Sequence, residues 1–326
     1  MTLSRRQALR AAAALLAAPA ALRADDAPRS PDDLTMPELM KRGMPSMMKV
    51  PVAARPLAAG LSMLTGPGGN VAALAGPDGF LLVDSFVPGV GAALRATLAT
   101  LAKGPVATLV DTHWHFDHTG GNAELAAAGA RVVAHKNVRT RLSAPQRMSD
   151  FQMDIPASPP AALPVVTIGD EATLYINGEE VRLVLLPPSH TDGDVYVHFA
   201  RANVLHCGDV FGNGGYPNID KDSGGWIGGM VAASDILLNL ADDRTKIIPG
   251  HGPLGTKADL KAARDMYDFA WHAIAPMVEA GKTLDEVIAA KPLKDYDAKW
   301  GRGLLRGRHF AQLVYGGLVK RKTAGA

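Results

Sequence analysis

The sequence predicts a layered α/β domain in which helices cover sheets, and three observations lead there. Short apolar runs separated by turn residues fill the early part of the chain, strand and helix patterns alternate in the middle, and no repeat with a period of roughly 20–50 residues is present. The 326 residues are 47% apolar and 20% charged, the balance of an ordinary globular protein, and they suffice for one large domain or two medium ones.

The elements follow in order. Residues 25–50, rich in Pro, Asp, Met and Lys, show no strand pattern and read as an exposed leader into a catalytic domain at 51–255. Apolar runs at 71–75 and 80–84 flank Gly76-Pro77-Asp78-Gly79, the mark of a hairpin. A helix is expected at 91–103, a short strand at 107–110 ending on Asp111, a helix at 121–128 and a strand at 131–134. Pro156, Pro159, Pro160 and Pro164 mark an irregular segment. Runs at 173–176 and 180–186 pair across Asn177-Gly178, a strong short hairpin signal. Runs at 195–199 and 204–207 form another pair, 230–240 is helical, 246–248 is a strand, and helices dominate the segment 256–326. Within it Leu304, Leu305, Phe310, Leu313 and Val314 make an apolar face that needs a cover.

Charge narrows the partners. The formal net charge is +2, but Arg5, Arg6, Arg10 and Arg23 all lie in the first 24 residues, which hold no acid; the remainder has 30 basic residues against 32 acidic ones. Such a near-neutral chain has no electrostatic claim on nucleic acid, and a small-molecule substrate is the expected partner. Cys207 is the only cysteine, so no intramolecular disulfide forms. Ser4-Arg5-Arg6-Gln7-Ala8-Leu9-Arg10 precedes an apolar run at 11–21, roughly half the length that spans a bilayer. Small residues follow, and residues 1–24 read as a removable export signal whose paired arginines resemble the twin-arginine type. A periplasmic or secreted protein with no integral membrane segment after signal removal is expected.

Chemistry concentrates in Asp111-Thr112-His113-Trp114-His115-Phe116-Asp117-His118-Thr119-Gly120-Gly121-Asn122. Four potential metal ligands fall between 113 and 118, directly after an apolar strand, and three of the chain's ten histidines are among them. Alternation puts His113 and His115 on one side of an extended segment, where they can grip one ion. Asp117 and His118 lie where the chain turns, so they can face a second. Further ligands must come from elsewhere, and His190, Asp209 and His251 each sit after an apolar run and before a Gly-bearing loop.

The order H-x-H-x-D-H, H-T-x-G-D, G-D and P-G-H-G, carried by His113 to His118, His190 to Asp194, Gly208-Asp209 and Pro249 to Gly252, resembles the metallo-β-lactamase superfamily. That resemblance implies a four-layer αββα sandwich with additional C-terminal helices. It implies that His113, His115 and His190 hold one zinc, that Asp117, His118 and His251 hold another, and that Asp209 bridges them. Asp84 would support the site through a metal-bound His. Imidazole plus carboxylate suits zinc, iron, nickel or manganese. The diiron relatives tend to have Glu where this chain has His115 and carry a flavodoxin-like domain, so two zinc ions per chain are expected. The implied reaction is attack of a bridging hydroxide on an amide, lactam, lactone or ester carbonyl, as in a β-lactamase, with Asp117 and Asp209 as catalytic groups.

Two alternatives share the pattern. A thioesterase of the glyoxalase II kind would use the same seven ligands and want basic residues for glutathione, for which Lys257, Lys261 and Arg264 offer themselves. A sulfur dioxygenase would hold a single iron. Around the site, Cys207 reads as a buried structural thiol, and His135 as a residue close by that does not ligate. His198, His206, His272 and His309 read as structural. Trp114 and Phe116 point away from the metal-facing histidines, with one of them available as a pocket wall. Asn213 and Tyr216, in the Gly-rich loop after Asp209, are candidate polar contacts to substrate. Met44, Met47 and Met48 read as a packing segment or a lip over the cleft. Ser189 stands where many relatives have Gly.

Overall fold

Two sheets sharing one apolar core organise the chain from Thr35 onward in the computed structural model, which describes residues 30–325. The expected export signal, 1–24, lies outside the described residues. Before Thr35 the described chain holds one 3-10 turn, Pro31–Asp33.

The first sheet contains β1 (Ala53–Ala58), β2 (Leu61–Thr65), β3 (Val71–Gly76), β4 (Gly79–Val83), β5 (Val106–Val110) and β6 (Arg131–His135). A separate hairpin follows, β7 (Gln146–Met148) with β8 (Met153–Ile155), and β9 (Val166–Ile168) then completes the seven-stranded order β1-β2-β3-β4-β5-β6-β9. The second sheet runs in sequence order through β10 (Glu171–Ile176), β11 (Glu179–Leu185), β12 (Val195–Phe199), β13 (Val204–His206) and β14 (Lys246–Ile248). Strands β1 to β4 form an antiparallel meander, whereas β4, β5, β6 and β9 pair in parallel. Parallel neighbours need crossovers, and the helices Gly91–Leu101 and Asn122–Ala127 supply the first two.

Side-chain alternation explains the layering. Ala72, Leu74, Leu81 and Val83 face the core shared with Val181, Leu183, Val197 and Phe199 of the second sheet. Their neighbours Val71, Ala73, Phe80 and Leu82 pack outward with Leu94 and Leu98 of the Gly91–Leu101 helix. Burial on both faces is why Phe80 to Val83 reads as an unbroken apolar run. The β10–β11 turn has positive φ at both Asn177 (53°) and Gly178 (75°), as its sequence predicts for a primed hairpin turn. Asn177 also ties the two hairpins together: its Nδ2 donates to the Gly79 carbonyl at 2.8 Å, and its Oδ1 accepts from the Asp78 N–H at 2.9 Å.

The expected mixed α/β fold with extra C-terminal helices is present. Ile227–Leu240 and Lys257–Glu279 pack on each other, and Gly307–Ala324 packs on the latter. Leu305, Phe310, Leu313 and Val314 are buried within this chain, while Leu304 stays 40% exposed. Among the described residues no helix is long and apolar enough to cross a membrane. Within the segment read as an exposed leader, Met36–Met47 forms a helix. Its start is fixed by Thr35, whose N–H donates to Glu38 Oε2 at 2.7 Å in a capping box.

Candidate metal centre

The functional side chains hang from strand ends on both sheets. After β5 the chain passes through Asp111 to His115 into a single helical turn, Phe116–Thr119. His190 lies in the loop between β11 and β12, Asp209 in a 3-10 turn after β13, and His251 in the loop after β14. These loops bring the ligand atoms of His113, His115, His190 and Asp209 within 4.8 Å of one another, and those of Asp117, His118 and His251 into a second such group.

Hydrogen bonding on the outer side of each ring decides which nitrogen is left for a cation. Asp84 has a left-handed φ of 67°, a conformation that Asp tolerates better than most residues. Its Oδ1 accepts from the Thr112 N–H at 2.8 Å, and its Oδ2 accepts from the Thr112 hydroxyl at 2.9 Å and His118 Nδ1 at 2.7 Å. A carboxylate only accepts, so His118 carries its proton on Nδ1 and turns the lone pair of Nε2 inward. The Thr112 hydroxyl, having given its proton to Asp84, accepts from His113 Nδ1 at 3.0 Å. His113 Nε2 is then a buried acceptor without a hydrogen-bond partner. His115 Nε2 donates to Asp220 Oδ2 at 3.1 Å and His190 Nδ1 donates to the Asn218 carbonyl at 2.9 Å. Their remaining nitrogens, His115 Nδ1 and His190 Nε2, face each other at 2.8 Å. Lone pairs that close repel unless a cation lies among them, so the donor set fits a divalent metal.

Asp209 stands between the two groups. Its Oδ1 is 3.1 Å from His118 Nε2, and its Oδ2 is 3.5 Å from His190 Nε2 and 3.4 Å from His251 Nε2. His251 Nε2 also lies 3.3 Å from Asp117 Oδ2 and 3.4 Å from His118 Nε2. Electrostatics follow the same division. Burial pulls His113 and His190 down. Burial also opposes charge on His251, but Asp209 and Asp117 outweigh it and push that ring up to about 10. Asp209 is held well below the usual carboxylate range against its burial, by His251 and His118 foremost.

Two glycines let the backbone come this close. A Cβ on Gly250 would stand 1.9 Å from Asp209 Oδ1, and one on Gly69 would stand 2.1 Å from His118 Cε1.

Every residue expected to ligate is therefore in the cluster, and Asp84 stands behind it as expected. Three supporting residues were not read from the sequence. Asp220 accepts from His115 and from the Ser223 hydroxyl, and the latter also accepts from Trp114 Nε1 at 2.9 Å. Asn70 Nδ2 donates to the Pro249 and Gly252 carbonyls at 2.8 and 2.9 Å, which clamps the loop that carries His251. The buried Asp194 carboxylate gathers the Ser189 hydroxyl and the N–H groups of His190 and Thr191, all within 2.8 Å, so Ser189 adds a donor where the family pattern has Gly. The H-T-x-G-D spacing contained Asp194; Asp220 and Asn70 had no local signal beyond a Gly-rich neighbourhood.

Other residues take quieter places. Cys207 is 1% exposed, and burial pushes its thiol up. His135 is buried and accepts from the Asn137 N–H at 3.3 Å as a helix cap. His206 donates to the Asn70 carbonyl at 3.1 Å. A cavity of about 550 Å³ opens over His115, Asp117, Asp209 and His251, with Phe116, Met44 and Met47 in its walls. Asn213 and Tyr216 also line it, but their polar ends turn away. The Tyr216 hydroxyl donates to Asp297 Oδ1 at 3.0 Å, and Asn213 Nδ2 donates to the Pro253 carbonyl at 3.0 Å.

Known proteins share this architecture. A metallo-β-lactamase from Pontibacter korlensis superposes with a TM-score of 0.55 at 18% identity, covering 67% of this chain and 99% of that one. The 2,4-dinitroanisole O-demethylase subunit alpha of Nocardioides sp. (strain JS1661) is 26% identical over 258 residues, 78% of this chain and 74% of that protein. A hydroxyacylglutathione hydrolase of Polaromonas sp. (strain JS666 / ATCC BAA-500) is 30% identical over 188 residues, which is 56% of this chain and 63% of that protein. The family model of the metallo-β-lactamase superfamily matches residues 64–273, more than half of the chain and all seven clustered residues, and this protein belongs to that superfamily.

Proposed function

We propose that this metal-dependent hydrolase holds two zinc ions and cleaves an amide, lactam, lactone or ester carbonyl. The observation that carries the reading is Asp209, whose carboxylate lies between the two groups, with His118 and His251 of one and His190 of the other all within 3.5 Å of its oxygens. A bridging carboxylate is what a pair of ions needs, and the imidazole-rich donor set suits zinc. When bound, the ions supply Lewis acidity that acidifies water and polarises the carbonyl.

The chain's own groups do the rest. Asp84 and Asp220 fix the tautomers of His118 and His115. Asp117 and Asp209 reach the cavity surface, where the Asp117 carboxylate would orient the attacking water and Asp209 would hold the two ions together. Among the described residues that line the cavity there is no Ser, Thr, Cys or Lys, which agrees with water as the nucleophile in this reading.

The hydroxyacylglutathione hydrolase relative keeps the thioesterase reading in view, yet the basic residues it wants lie elsewhere. Lys257, Lys261 and Arg264 line a different depression, where Lys261 pairs with Asp265 at 2.6 Å and Arg264 with Asp235 at 2.8 Å. A single-iron dioxygenase would leave Asp117, His118 and His251 clustered around nothing.

Metal analysis of the purified chain tests the proposal. Two zinc ions per chain, with chelator-sensitive turnover of a lactone, an ester or nitrocefin, are expected; one iron per chain overturns it. Asp209→Ala should lower the occupancy of both ions, and unchanged stoichiometry in that variant removes Asp209 as the bridge.

A further inference from the structure

The large side chains that wall the cavity above the clustered histidines are mostly apolar. Met44 and Met47 project from the Met36–Met47 helix, Phe116 from the turn after His115, Met148 and Phe151 from the β7–β8 hairpin, and Leu304 from the segment before the last helix. Its volume of about 550 Å³ lies within the range of small-molecule sites. Among the described residues that line it, none is Lys or Arg, and the only carboxylates, Asp117 and Asp209, belong to the metal cluster. Among the wall residues with polar side chains, Asn213 and Tyr216 direct donors to Pro253 and Asp297, which leaves Asn218 beside them.

A substrate in this space gains by burying apolar surface, and beyond the metal cluster on the cavity floor the described lining offers no Lys or Arg to pair with a distal negative charge. An unpaired charge taken out of water is expensive, so charge is discriminated more strongly than shape. Methionine side chains bend to irregular outlines, which broadens tolerance for shape further.

We infer that the cavity selects an uncharged alkyl or aryl ester and rejects the same ester bearing a distal carboxylate. The inference rests on the proposed hydrolytic reading, and two measurements separate them. In the first, the metal-loaded full chain hydrolyses 4-nitrophenyl acetate, butyrate and hexanoate, and the half-ester mono-4-nitrophenyl adipate. The inferred selectivity raises kcat/KM about fourfold for each buried methylene, the equivalent of about 0.8 kcal/mol, and lowers it about a hundredfold for the adipate relative to the hexanoate. In the second, the neutral fluorophore Nile red binds without any bond being cleaved. Met44→Lys, and independently Leu304→Lys at the exposed rim, should weaken its binding at least about tenfold while metal content stays at the wild-type value.

Ester hydrolysis indifferent to chain length and to the carboxylate overturns the inference, as does unchanged Nile red affinity in both variants. Nile red binding that is lost in the lysine variants, with no ester, lactone or nitrocefin cleaved, upholds the apolar cavity and overturns the hydrolytic reading instead.

Discussion

Asp220 aims a candidate ligand without touching the ion it serves. Its carboxylate fixes the proton of His115 on Nε2 and so frees Nδ1, and despite its burial the His115 hydrogen bond holds it below the usual carboxylate range. Such outer partners typically contribute 10- to 100-fold in metal affinity. Asp220→Asn should therefore lower affinity at the His113, His115, His190 group by about that factor, measured by competition with a chromogenic chelator; an unchanged affinity would remove Asp220 from the site's support. Asp84 plays the matching role for His118, and it was legible through the family resemblance, as the Asp that follows a hairpin strand. Asp220 lies 105 residues from His115 in sequence, and only the folded loop brings them together. The same holds for Asn70, which is 179 residues from the Pro249 carbonyl it clamps. Ligands announce themselves by residue type and spacing, whereas the groups that orient them are ordinary Asp and Asn whose partners are set by tertiary contact.

Elements divide in the same way. The 80–83 run, the Asn177-Gly178 turn and the strand before Asp111 were readable because burial on one or two faces imposes a pattern that the chain must spell out locally. Strands β1 and β2 were missed; Pro56 interrupts the first, and its exposed edge imposes little apolar order. The Met36–Met47 helix was missed although Thr35-x-x-Glu38 is a capping box, because Pro37, Gly43 and Pro45 weigh against a helix by propensity. Capping also bears on the Lys257–Glu279 helix. Thr256 Oγ1 accepts from the Asp259 N–H at 3.3 Å, and the Asp259 carboxylate accepts from the Thr256 N–H at 2.9 Å. Thr256→Ala should cost about 1 kcal/mol of stability, read as a shift in the denaturant midpoint with metal content unchanged. The cost is modest because the helix is also held by packing against Ile227–Leu240 and Gly307–Ala324.

At the scale of the molecule, the clustered residues come from loops of both sheets: His113 to His118 from the first, and His190, Asp209 and His251 from the second. A metal bound there is a tie between the sheets as well as a reagent, and it offsets buried carboxylates that otherwise face one another. Removing it with a chelator should lower the Tm, and re-adding zinc should restore it; with free metal at about 1,000 times Kd, the stabilisation per site is about 4 kcal/mol. An identical Tm with and without metal would mean that the folded cluster binds the ion no more tightly than the unfolded chain does. The cavity walls have a different provenance. Met44 and Met47 precede the stretch matched by the superfamily model, residues 64–273, and Leu304 follows it. Phe116, Met148 and Phe151 lie within it, so only part of the collar around the candidate metal centre is written outside the matched stretch. That part can be exchanged, by evolution or by grafting, without rewriting a single clustered residue, so this scaffold can change what it accepts while keeping its metal cluster.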